Sequence, residues 1–394
     1  MVSTSLPSQA FSRTAASSNP QASSAHSWWA GGLCVAALSV AAYTGFRLPS
    51  LWSVTLQTTS LADGFHRRFL VATVLYPIAE WAGNAYWFYA AVSFGILALL
   101  LAVIVTTVVR ATTPVRRWLP VAFFLHPAGG YLFHEVGYLD QALFLLLFVA
   151  LWLGYRGWWW AATLVMTLAP MAHEISALTV IPVWLLAVWR SSLATRTAFA
   201  ASILPVAVNA VLFAVPPAVP GAREHLITRI SEGGWNWRED ALALFFRTQV
   251  QSWSAYDPWN VALYLAPLVL VVMVVTAVVV GPGQDARGWV TRSLAVGASG
   301  APFLLAFGGW DQHRWAFLLC VNLTIVAWMW CDGHENMKRA AVALGLGLLL
   351  ITHTPLHYFD GYTSVPLTGT AFKSYEEGAH PGPDGGPFDV PLRW

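Results

Sequence analysis

The chain has 394 residues, 57% hydrophobic and only 10% charged, with 22 Trp, 21 Phe and a net charge of +2. That balance excludes an ordinary water-soluble domain, and the scattered basic residues form no stripe of the kind nucleic acid needs. Several apolar runs reach or approach the roughly 20 residues that cross a bilayer as a helix, so the composition predicts an all-α, polytopic membrane protein.

Residues 1–27 are rich in Ser, Ala and Gln and carry Arg13 as their single full charge. They predict a disordered cytoplasmic tail, or alternatively the polar start of a secretory signal whose apolar part is 28–43. Residues 28–352 then predict a helical membrane domain of about eleven spans. In chain order these are 28–46, 86–109, 118–133, 139–153, 158–172, 175–189, 198–215, 261–280, 293–307, 315–330 and 340–351. Long loops at 47–85 and 220–258 interrupt them, and Cys34, Cys320 and Cys331 read as packing residues, since no spacing among them suits zinc or redox chemistry.

Lysine and arginine in short loops prefer the cytoplasm. With the N-terminus inside, the short inner loops hold Arg110, Arg116, Arg117, Arg156, Arg190, Arg196, Arg287, Arg292, Lys338 and Arg339. Only Asp285, Asp332 and Glu335 among the acids fall on that side. The expected location is therefore the plasma (inner) membrane, with both long loops and the Pro- and Gly-containing tail 353–394 extracytoplasmic.

The most polar stretch beside the spans is Leu-Ala-Asp-Gly-Phe-His-Arg-Arg-Phe-Leu at 61–70. If Ser60 caps a helix, Asp63 and Arg67 stand four apart on one face, with His66 and Arg68 close by. Such a carboxylate among cations can serve a phosphate, or Ser60 and Asp63 can simply form a capping box. The topology brings further ionisable groups to the same surface: His134, Glu135 and Asp140, then His173 and Glu174, then Asp311, His313 and Arg314. Charges at the ends of spans are expensive unless paired or wet, so each is a candidate for function. Each also has a plainer use: His134 and Glu135 can satisfy a short loop, Asp140 can cap a helix, and Asp311 can pair with Arg314 three residues on.

Neither His-Glu dipeptide continues into His-Glu-x-x-His, which argues against a zinc protease. The sequence identifies no metal ligand set and no certain cofactor, while leaving open a divalent cation held by scattered carboxylates. In the 220–258 loop, Trp235 and Trp237 fit an interfacial aromatic belt, or faces for a sugar ring or a polyprenyl chain.

These features together resemble the GT-C superfamily of membrane glycosyltransferases, which use sugars carried on polyprenyl phosphate. The likeness is architectural and covers most of the spans. The family's first outer loop bears an essential acid, and Asp63 matches that position, although Asp-Gly-Phe-His-Arg-Arg stands where an acidic pair is usual. Gly137-Tyr138-Leu139-Asp140-Gln141-Ala142 resembles the element that carries the family's second acid, and 161–186 resembles its next helical hairpin. The resemblance implies transfer of a sugar from a polyprenyl-phosphate donor to an extracytoplasmic acceptor glycan, lipid or protein. It assigns catalysis to Asp63, Asp140 and Glu174, with Asp63 as the base. Substrate binding falls to His66, Arg67, Arg68, His134, Glu135, His173, Asp311, His313, Arg314, Trp235 and Trp237. The alternative is a secondary transporter, or a non-catalytic membrane protein that assembles cell-envelope polysaccharide. Against a transporter, the charges gather at one edge rather than at the midplane, and no internal repeat is evident.

Overall fold

The structure, a computed structural model, describes residues 20–65, 67–215, 221–243, 253–254, 256–331 and 337–353. Among the described residues every regular element is helical. Among the described residues five segments are long and apolar enough to cross a membrane: Trp28–Gly45, Tyr86–Arg110, Thr195–Ala214, Pro258–Val280 and Ala286–Phe307. These match the first, second, seventh, eighth and ninth expected spans, so the chain has the make-up of an integral membrane protein.

The first helix, α1 (Pro20–Gly45), starts ahead of position 28 and leads into α2 (Leu51–Leu56). A 3-10 turn, Leu61–Asp63, precedes α3 (Phe69–Trp81) and the long α4 (Tyr86–Arg110). The expected third span is instead two short helices, α5 (Pro114–Leu125) and α6 (Pro127–His134). Pro127 is the cause: its ring disfavours the helical region for His126, which is extended at φ −78° and ψ 149°. The next hairpin pairs α7 (Asp140–Tyr155) with α8 (Trp159–Ala172), and a 3-10 turn, Glu174–Ala177, separates α8 from α9 (Val180–Arg190). With 14 and 11 residues, α8 and α9 fall short of the roughly 20 that cross a bilayer upright. Helix length alone therefore supports fewer crossings than the expected eleven or so.

After α10 (Thr195–Ala214), the long loop contributes α11 (Ala222–Ser231) and the short α12 (Glu239–Ala243). The last four helices are α13 (Pro258–Val280), α14 (Ala286–Gly300), α15 (Gln312–Trp330) and α16 (Met337–His353). Helix α15 is the centre of the packing. Its buried residues run without a break from Arg314 to Leu323, covering every side of the helix, as expected for one surrounded by protein. Close approach of α1 and α6 is secured by Gly45, where an added Cβ would lie 1.8 Å from the Gly130 carbonyl oxygen.

The two ends of the bundle differ in chemistry. At one, Arg116 donates to the Trp328 carbonyl and Arg190 to that of Met329, both at 3.0 Å. Thr113 reaches the Cys331 carbonyl at 2.8 Å, so the C-terminus of α15 is capped by donors from two other helices. At the opposite end lie the α6–α7 and α8–α9 turns, the N-terminus of α15 and both long loops.

Candidate functional site

The first loop departs from a helix running on from Ser60. The 3-10 turn ends at Gly64, whose φ of 101° suits glycine, and α3 begins only at Phe69. Asp63 and Arg67 therefore do not share one helix face, and the i,i+4 pair does not form. The capping box does: the Ser60 N–H donates to Asp63 Oδ2 at 3.2 Å, and the Ser60 side chain accepts from the backbone. The rest of the carboxylate is taken from the other long loop. Arg229 donates through Nε to Oδ1 at 3.0 Å and through Nη2 to Oδ2 at 2.5 Å, while His225 Nδ1 lies 2.9 Å from Oδ1. The same guanidinium holds the Asn84 side chain at 2.9 Å and the Thr58 carbonyl at 2.5 Å.

Asp63 is thus a clasp between the two loops. Its side chain has no exposed surface, and Arg229, His225 and the Ser60 N–H hold its two oxygens, which is the structural use that stands beside its expected role as base. Trp235 is built into the same junction. Only 5% exposed, it donates from Nε1 to the Asn84 carbonyl at 3.0 Å and packs beside Tyr86, which makes it an anchor of the long loop rather than a face for a sugar. Trp237 similarly packs against that apolar cluster and donates to Ser231 Oγ at 3.2 Å.

Four of the remaining candidates join a second network with Arg314 at its middle. Arg314 grips Asp140 with two parallel bonds, Nε to Oδ2 and Nη2 to Oδ1, each 2.7 Å, and its guanidinium lies over the Tyr138 ring. Its Nη2 also points at His173 Nε2, 3.2 Å away. Arg314 can only donate, so Nε2 must accept, and the neutral ring then carries its proton on Nδ1. That proton faces Glu174 Oε2 at 3.2 Å, which makes the 3.3 Å approach of the Ile175 N–H to Nδ1 a contact rather than a bond. A bidentate pair with Arg68, Nε to Oε2 at 2.8 Å and Nη2 to Oε1 at 2.5 Å, completes the chain. Arg68 reaches Glu174 from a left-handed backbone, φ 67°, a conformation of modest cost for a residue other than glycine.

The charges set the proton affinities. Burial works to raise the Glu174 carboxyl, but the Arg68 guanidinium and His173 hold it well below the usual carboxylate range. Burial, with the Arg68 charge, pushes His173 down to about 4, in keeping with a neutral ring. Asp140 and Glu174 are each held by an arginine through both oxygens. In the structure these two candidates for catalysis hold Arg314 and Arg68 in place.

Glu135 and Asp311 have no such partner. Glu135 is 4% exposed, its Oε2 is buried without a hydrogen-bond partner among the described residues, and the His134 ring, which burial keeps neutral, stands with Nε2 3.9 Å from Oε1. Burial, then the Asp311 charge, pushes its carboxyl well above the ordinary range. Asp311 is half-buried at the N-terminus of α15, where it accepts from the Arg314 N–H at 3.4 Å, and burial raises it despite Arg314. His313, also half-buried, sits edge-on to Tyr264. Arg67 is separate from this chain of contacts: its guanidinium stands 5.1 Å from the ring of Phe213 on α10, with Nε buried and without a hydrogen-bond partner. His66 lies outside the described residues.

Among the described residues there is no group of three or more His, Cys, Asp or Glu side chains that could hold a metal ion. The residues that sequence reasoning missed are Arg229, His225, Asn84 and Tyr138. Only the first two carried a signal, since a spacing of four puts them on one face of a helix. Compared with protein families, curated proteins and solved structures, the chain matches none.

Proposed function

We propose that this chain is a membrane glycosyltransferase of GT-C type, moving a sugar from polyprenyl phosphate to an extracytoplasmic acceptor. The reading takes α5 with α6 as one crossing and α7, α8 and α9 as three more, and the two long loops as extracytoplasmic. One observation carries it: the free Nε of Arg67 lies at the edge of α10, a segment apolar enough to span, beside Phe213, which is 49% exposed. A guanidinium at the boundary between lipid and a polar rim suits a ligand with an anionic head and an apolar tail. An ordinary soluble sugar nucleotide would have no use for the apolar side of that boundary.

In this reading the polyprenyl chain lies along α10 and its phosphate meets Arg67. Arg68 and Arg314, fixed by Glu174 and Asp140, supply positive potential to the same rim without being the direct contacts. Purified protein in proteoliposomes, given radiolabelled undecaprenyl-phosphate hexoses and pentoses with native membranes as acceptor, should release undecaprenyl phosphate. Arg67→Ala should raise the donor concentration needed by about 10- to 100-fold, the worth of one hydrogen bond to a charged group. Donor that crosses the bilayer intact would instead mark a transporter. No release with any donor of the panel would remove the transferase reading.

A further inference from the structure

The end of the bundle where Arg116 and Arg190 close α15 holds a cleft that the proposed reaction does not use. Its volume is about 390 Å³, within the range of small-ligand sites. Its walls are Val280 at the end of α13, the turn 281–284, the start of α14 with Asp285, Arg287 and Thr291, and Trp330 at the end of α15. Those walls are fixed by contacts. An added Cβ on Gly283 would lie 2.4 Å from the Trp289 nitrogen, so the turn packs closely on α14. Trp189, at the end of α9, donates to Thr291 Oγ1 at 2.9 Å, and the Arg190 guanidinium lies 3.9 Å from the centre of the Trp330 ring. Two opposite charges line this space without neutralising each other: among the described residues neither Asp285 nor Arg287 is in an ion pair. Asp285 caps α14, its Oδ1 accepting from the Gly288 N–H at 2.6 Å, which leaves Oδ2 for another donor. The Arg287 guanidinium stands 6.0 Å from the Trp189 ring, at the outer limit of a cation–π contact, so its N–H groups remain available to a ligand.

We propose that this cleft seats the phosphoethanolamine headgroup of a membrane phospholipid, with its phosphate on Arg287 and its ammonium on Asp285. Charge selects the headgroup. An anionic headgroup would satisfy Arg287 but bring its charge beside the Asp285 carboxylate, whereas a zwitterion answers both residues. A choline headgroup carries the same two charges, yet its methylated nitrogen has no N–H to give to Oδ2. Position selects a lipid over a soluble phosphate. Leu270, Val274 and Val278 stand four apart on α13, all exposed, and this stripe ends two residues before Val280 in the cleft wall. Because α13 is apolar enough to cross a membrane, the stripe is a track for acyl chains that leads to the cleft. Trp189, Trp289 and Trp330 surround that point, the kind of ring that gathers at the level of lipid headgroups. The site lies at the opposite end from the Asp140–Arg314 rim and does not depend on the transferase reading; it requires only that the chain sit in a bilayer.

The test uses the full chain, purified in detergent, stripped of native lipid and titrated separately with dioleoyl phosphatidylethanolamine, phosphatidylcholine and phosphatidylglycerol. Native mass spectrometry reads the affinity of the first lipid bound. Wild type should hold phosphatidylethanolamine about threefold to tenfold more tightly than either of the others, the worth of a charge-assisted hydrogen bond reduced by the exposure of both groups. Asp285→Asn removes the charge but keeps the cap, since asparagine serves equally well at that position. It should erase the preference over phosphatidylglycerol. Arg287→Gln should weaken all three lipids by a similar factor. Glycerophosphoethanolamine, the same headgroup without acyl chains, should not displace the bound lipid at equal concentration. Equal binding of the three lipids by wild type, a preference that survives Asp285→Asn, or undiminished binding in Arg287→Gln would overturn the site. Displacement by equimolar glycerophosphoethanolamine would overturn the lipid as its occupant. Wild type and Asp285→Asn decide the matter even if Arg287→Gln does not fold, and none of these outcomes requires a sugar donor.

Discussion

A single side chain can change role without changing place, and Asp63 does so. From the sequence it is a loop acid near cations; in the fold it is the point where two loops 166 residues apart are joined through Arg229. Its partner was not legible, because nothing local couples residues so distant, and Gly64 breaks the local helix that would have given it Arg67. The consequence concerns stability. Asp63→Asn leaves the Arg229 charge buried with its counter-charge and one of its four acceptors gone, which should cost about 3 to 5 kcal/mol. Thermal unfolding in detergent should show a lower Tm, and limited proteolysis should cut between α11 and α12 first. A variant that unfolds like wild type would show that the Arg229 clasp contributes little to stability.

At the scale of elements, apolar continuity made the long helices readable and proline made the short ones misleading. Residues 86–109 and 261–280 carry no internal contradiction, and α4 and α13 agree with them to within a few residues. The run 118–133 is as apolar, yet Pro127 splits it. The turn after α6 depends on another special backbone position. Gly137 has φ 105°, and an added Cβ would stand 2.5 Å from Ser53 Oγ and 3.2 Å from Gln57 Nε2. Gln57 in turn donates to the Gly137 carbonyl at 2.6 Å, tying the first loop to the turn that presents Asp140. Gly137→Ala should therefore disturb the register of Asp140 against Arg314 as well as strain the backbone. The expected loss is about 1 to 3 kcal/mol, from the strain of a left-handed position filled by a side chain, read as a lower Tm. Gly157, also at positive φ but with open space around it, is the control: Gly157→Ala should lose less, because it adds strain without a clash.

Across the whole molecule, charge is sorted by end. The arginine-rich end binds the backbone carbonyls that close α15, whereas the other end gathers Asp63, Glu135, Asp140, Glu174 and Asp311 with the arginines that hold three of them. The sequence displayed this sorting only as a list of loops; the fold makes it spatial, because Arg116 and Arg190 meet at one helix terminus and Arg314 meets Asp140 and His173 at the other. On the reading proposed above, the first end faces the cytoplasm, as the positive-inside tendency would have it. That orientation can be tested with two added cysteines, since Cys34, Cys320 and Cys331 are all buried and should label slowly. Arg156 is exposed after α7, and Thr228 is exposed on α11 away from Asp63. In intact cells a membrane-impermeant maleimide should label Thr228→Cys and spare Arg156→Cys. Inverted membrane vesicles should give the reverse. Labelling of both from one side would mean that α11 and the α7–α8 turn share a compartment, which an odd number of crossings between them forbids. The reverse pattern would turn the rim that holds Asp140 and Arg314 towards the cytosol, against the reading proposed above.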